Sequence, residues 1–151
     1  MEKYGLPEDF LGKYLEVKSR IHAKEASNER TLQRIIRQAL GLLNIGMESR
    51  EVAWEVRKAH WGRTRKFFTE PELGKEFQKV VNFLRERGYK TAILSDNAII
   101  NKNWYTGFWK ELRLEFDAFV VSEEIGENKP SEKMFGAIIE LLNVGPEESV
   151  Y

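Results

Sequence analysis

"KTAILS", residues 90–95, and "FDAFVVS", residues 116–122, decide how this chain folds. Each holds an apolar run of strand length between helical patterns. Phe77, Val80, Val81 and Leu84 form a helical stripe before the first run, stopped by Gly88. A helix around Trp104 to Leu114 separates the two runs, and Phe135, Ile138, Ile139 and Leu142 mark another after the second. The closing "SVY", residues 149–151, reads as the start of a further strand. Helices alternating with short apolar strands predict right-handed crossovers and a parallel sheet. Ala92-Ile93-Leu94 and residues 118–121 do not alternate polar with apolar, which fits strands covered on both faces.

Towards the N-terminus the period is helical throughout. Pro7 suits the first turn of a helix, and Phe10, Tyr14, Val17 and Ile21 follow at helical spacing. Leu32, Ile35, Ile36, Ala39, Leu40 and Leu43 form a strong amphipathic stripe, which Asn44-Ile45-Gly46 is expected to end, with Gly46 as the stop. Val52, Val56 and Ala59 mark a third helix, with Trp54 and Trp61 beside them. The expected organisation is an all-helical unit over residues 5–68 and a partial α/β unit over 71–151. Their hinge is expected at Phe68-Thr69-Glu70-Pro71.

Bulk composition narrows the function. The 151 residues suffice for one domain, or a small domain with an insertion. Lys+Arg and Asp+Glu both number 24, so no net charge draws the chain to nucleic acid or an anionic membrane. There is no cysteine, which excludes disulfides, thiolate metal sites and a cysteine nucleophile. The apolar runs fall far short of the roughly 20 residues that span a bilayer. A soluble cytoplasmic protein is the expectation.

Ligands of open parallel sheets bind beyond the carboxyl ends of the strands. Ser95 ends the first strand and is followed by Asp96 and Asn97. Lys129 lies in "GENKPSEKMF", residues 126–135, between the second strand and the next helix. A hydroxyl and loop amides can hold phosphate oxygens, and a lysine adds a point charge. Taken alone, a serine after a strand is a turn or cap residue and a loop lysine is a solvated one. Both at one end of successive parallel strands carry more weight. Ser131, after Pro130, reads as a structural N-cap.

At these residues the chain resembles the haloacid dehalogenase-like hydrolases. "GYKTAILSDN" (88–97), "FDAFVVSEEIGENKPSEKMF" (116–135) and "NVGPEESVY" (143–151) are similar to that family's second motif, third motif and approach to the fourth. Gly126 to Pro130 is the most specific element, and the helical half is similar to the family's inserted cap. The resemblance implies an α/β core with a partial parallel, Rossmann-like sheet lacking its first strand, under an all-helical cap. It also implies phosphatase chemistry on a small phosphorylated substrate through an aspartyl-phosphate, with 2-haloacid dehalogenase as the alternative within the family. Ser95, with Asp96 and Asn97, would bind the phosphoryl group. Lys129 would neutralise the nucleophile and the phosphate. Mg²⁺ is expected of the complete enzyme, on ligands outside this chain. The family's D-x-D nucleophile motif occurs nowhere in the sequence. Asp96 stands where the family often has asparagine, either as a harmless variant or as a charge repelling an anionic substrate.

Loss of a nucleophile costs on the order of 10⁴–10⁶ in rate, so the chain is expected to be inactive alone. Without a first strand, "KTAILS" would have an open edge prone to self-association. The rival reading is a non-catalytic protein that binds a partner through the helical half or that edge. One further stretch stands out, "WEVRKAHWGRTRKFF" at 54–68, where five basic residues interleave with Trp54, Trp61, Phe67 and Phe68. It reads as a solvated helix edge with core aromatics, a cap face admitting an anion, or a nucleic-acid surface, the last opposed by the zero net charge. His22 and His60 stand apart from other ligand types and are expected to be structural.

Overall fold

Apolar periodicity sets the first three helices. The computed structural model describes residues 6–151 other than 8, 23, 24 and 71, and only the backbone of residue 22. Helix α1 spans Phe10–His22, α2 Glu29–Leu42 and α3 Ser49–Thr69. Pro7 lies ahead of α1 rather than in its first turn; its carbonyl accepts a hydrogen bond from Phe10 N–H at 3.0 Å. Asn28 caps α2, its side chain accepting from Thr31 N–H at 2.8 Å. The predicted stripe of α2 is the buried one: Ile35, Ile36, Ala39 and Leu40 lie against Phe10, Val17, Val52 and Ala53. Each fully buried Ile or Leu of that stripe stabilises by about 1.5–3 kcal/mol.

Helix α2 closes within the expected Asn44-Ile45-Gly46 stretch, but on Asn44 rather than Gly46. Asn44 takes the left-handed conformation, φ 55°, and its N–H bonds to Gly41 O at 3.2 Å while Ile45 N–H bonds to Leu40 O at 3.0 Å. That pair of bonds is a Schellman closure, with asparagine in the place glycine usually takes.

The α/β part follows as α4 (Leu73–Glu86), β1 (Ala92–Ser95), α5 (Ile99–Glu111), β2 (Ala118–Val121), a single turn α6 (Ser122–Ile125) and α7 (Glu132–Leu142). Gly88 closes α4 as expected, at φ 80°. The intervening helix α5 starts five residues before Trp104, because residues 96–98 form only a short turn. Ser131 caps α7 by accepting from Met134 N–H at 3.1 Å. Strands β1 and β2 are parallel, with Ala92 opposite Ala118 and Ser95 opposite Val121. Both faces of the sheet are covered. Ala92, Leu94, Ala118 and Val120 pack on Met134 and Ile138 of α7. On the other face Ile93 packs with Val81, Phe108 and Trp109.

The predicted third strand does not form. Pro146–Glu148 make a 3₁₀ turn, and Ser149, Val150 and Tyr151 run on without strand structure. No strand lies beside them among the described residues, so their backbone has no ladder to join, and Val150 is fully exposed. The expected hinge falls at the end of α3; of its residues, Pro71 lies outside the described ones. Among the described residues no helix is long and apolar enough to cross a membrane.

Candidate active site

The loop after β2 places the lysine. After α6, Gly126 turns the chain at φ 82°, and Lys129 joins Pro130 through a cis peptide before Ser131 starts α7. Lys129 folds back onto the end of β1. Its backbone N–H donates to Asp96 Oδ1 at 2.7 Å, and its Nζ donates to Leu94 O at 3.0 Å. The Nζ also lies 2.7 Å from the hydroxyl of Tyr151, whose ring meets Phe135 edge-on at 5.1 Å. The ammonium is thus fixed at the carboxyl end of β1, the position the strand order predicts for a ligand group.

Asp96 has a structural partner in this arrangement, since its carboxylate holds the Lys129 loop. Asn97 turns its side chain onto the start of α5: Oδ1 accepts from Ala98 N–H at 3.1 Å and from Asn101 Nδ2 at 2.5 Å. Asp96, Asn97 and Lys129 line one cavity of about 1310 Å³, whose other walls come mainly from α1 and α3. Ser95 does not join them. One residue earlier on the strand, it shares the face of Ile93 and lines a separate pocket of about 280 Å³ with Phe68, Tyr105 and Phe119.

Two sets of contacts fasten the helices to the sheet around the cavity. On one side, Asn128 Oδ1 accepts from Ser27 N–H at 2.9 Å and its Nδ2 donates to Glu25 O at 2.7 Å. Beside it, buried Ser122 donates from Oγ to Ser27 O at 3.2 Å. Glu123 accepts from Glu29 N–H at 3.3 Å and from Ile99 N–H at 2.6 Å. One carboxylate thus satisfies the first turns of both α2 and α5. On the other side, Trp61 stacks on Trp104 with centroids 5.4 Å apart and donates from Nε1 to Asn101 Oδ1 at 2.9 Å. His60 Nε2 lies 2.9 Å from the Tyr105 hydroxyl. Burial, reinforced by Arg63 and Lys18, holds the His60 pKa below its ordinary value. The side chain of His22 lies outside the described residues.

The basic-aromatic stretch resolves mostly into structure. Phe68 sits among Phe77, Phe108 and Trp109. Arg65 pairs with Glu111 at 2.6 Å, and buried Arg57 pairs with Glu29. Trp54, His60 and Arg63 face the large cavity. Sequence reasoning missed Ser122, Glu123 and Asn128 as fasteners. Their partners lie 94 to 103 residues away, and no local pattern announces them.

A family model described as haloacid dehalogenase-like hydrolase matches residues 16–151. The chain belongs to the haloacid dehalogenase-like hydrolases. No curated protein matches it. Within this hydrolase the loop lysine, the end of β1 and the helical walls meet at one cavity. The family's metal chemistry does not find a donor set among the described residues. Among the described residues no three of His, Cys, Asp and Glu gather closely enough to hold a metal ion. The carboxylate beside the lysine, Asp96, is engaged by the Lys129 backbone. The described residues therefore do not fit the Mg²⁺ that the resemblance implies, and no step is assigned to it.

Proposed function

We propose that this hydrolase binds the phosphate of a phosphorylated small molecule in the large cavity, with helices α1–α3 acting as its cap. Lys129 is the group that meets the anion. One observation supports the reading: the Lys129 ammonium is pinned by Leu94 O at 3.0 Å at the carboxyl end of β1, in the cavity wall. An ammonium has three donor hydrogens, and the bonds to Leu94 and Tyr151 use two. The third is the one a phosphate oxygen would take. A charge fixed in advance stabilises the extra negative charge of a phosphoryl-transfer transition state without reorganising at the moment of reaction, commonly by several kcal/mol. Binding and charge stabilisation are the parts of phosphatase chemistry assigned to this chain. The nucleophile is assigned to none of its residues, since it contains no D-x-D.

Calorimetric titration of the 151-residue chain with methylphosphonate tests the reading. Lys129→Ala is expected to weaken binding at least about tenfold, the loss of one charge-assisted hydrogen bond. Equal affinity in the variant would remove Lys129 from the site and the phosphate reading with it.

A further inference from the structure

The cavity is not uniformly polar. Leu11 and Leu15, one turn apart on α1, line it, and so does Trp54 on α3. All three are large and half exposed, at 48%, 51% and 44%. Scattered apolar residues on a surface need no explanation, but these three share one concavity with Lys129. The volume, about 1310 Å³, exceeds the roughly 300–1,000 Å³ typical of pockets for drug-sized ligands. It is far more than a phosphate and a few carbons would fill.

We infer that the ligand is amphiphilic: a phosphomonoester whose alcohol carries a bulky apolar body, aryl or long alkyl. The inference rests on the phosphate reading above. The anionic head meets Lys129, and the body lies along Leu11, Leu15 and Trp54, removing their exposed faces from water. Charge complementarity at one end orients the molecule, and the apolar wall selects it. This replaces the small phosphorylated metabolite expected from the sequence with a larger, greasier one.

The test compares two non-hydrolysable phosphonates with the same head group, methylphosphonate and (1-naphthylmethyl)phosphonate, by calorimetry on the 151-residue chain. The naphthyl compound is expected to bind at least about tenfold tighter, from burial of its ring. Leu11→Asn/Leu15→Asn is expected to cut that ratio below about threefold while methylphosphonate affinity stays unchanged. Both positions are half exposed, so the variant should fold, and the wild-type ratio is informative without it. Equal wild-type affinities, or a ratio the double variant leaves intact, would overturn the amphiphilic ligand while sparing the phosphate reading. If Lys129→Ala leaves both affinities unchanged, the phosphate reading itself falls. Failure of both compounds to bind would overturn both.

Discussion

Arg57 is a charge folded into the interior, and removing its partner should cost far more than removing it. Its side chain is 3% exposed, while that of Glu29, its ion-pair partner from α2, is 35% exposed. The Arg57 Nε has no hydrogen-bond partner among the described residues, so Glu29 carries most of its compensation. Glu29→Ala leaves a desolvated guanidinium unpaired, which typically costs about 3–5 kcal/mol. Glu29 is partly in water, and water can move into its place, so about 2–3 kcal/mol is the expected loss here. Arg57→Met removes the charge together with its desolvation and fills similar volume. The carboxylate it leaves behind can hydrate, so stability should stay within about 1 kcal/mol of the wild type. The double variant should resemble Arg57→Met, giving a coupling of about 2 kcal/mol. Urea unfolding followed by circular dichroism reads this, with the slope unchanged across the four proteins. For a chain of this size, Glu29→Ala should also melt roughly 4–12 °C lower. If Arg57→Met costs as much as Glu29→Ala, the guanidinium is not the desolvated burden the burial implies.

Gly74 lies where α4 passes the end of α3, and a Cβ there would run into the Phe68 carbonyl. Gly74→Ala should therefore destabilise by about 2 kcal/mol or more. Gly107→Ala, on the open surface of α5, should stabilise by up to about 1 kcal/mol. Thermal melts of the two variants separate backbone crowding from helix propensity. His60 supplies a pH test. Its folded pKa lies below the ordinary 6.5, so the unfolded chain binds the proton more readily. The stability His60 contributes is complete above about pH 6.5 and declines as pH falls through it towards the folded pKa. Between pH 7.5 and 5.5, His60→Gln should lose stability less steeply than the wild type in urea titrations; identical slopes would contradict the burial of the imidazole.

The sheet was legible because its strands are apolar on both faces, a pattern that residues 92–94 and 118–121 carry without help from distant positions. The stripe of α2 was equally plain, since Ile35, Ile36, Ala39 and Leu40 bury themselves at helical spacing. Gly88 and Ser131 held their expected places as a helix stop and a cap. Gly46 misled because asparagine also tolerates the left-handed region, and Asn44 came first. The site was legible only in part. That Lys129 reaches the end of β1 follows from strand order. Which cavity Ser95 faces does not, because successive residues of a strand point to opposite faces and a one-residue shift reverses the outcome. Ser122, Glu123 and Asn128 were invisible for a different reason. Each completes a bond with a segment about a hundred residues away, and only the folded chain brings the two together.

The two fastenings that flank the cavity have a mechanical consequence. The clasp of Asn128, Ser122 and Glu123 on residues 25–29 and the stack of Trp61 on Trp104 are separate points of attachment. Phe68, at the end of α3 and seated among Phe77, Phe108 and Trp109, is a further one, and the Arg65–Glu111 pair lies a turn before it. Helices α1–α3 are therefore fastened along α3 as well as at the start of α2, which opposes rocking as much as sliding or lifting away. Leu11 and Leu15, carried on α1, keep their spacing from the lysine while these attachments stand. The distance between the charged end and the apolar wall is then a set dimension of the site, a gauge for the length of what binds.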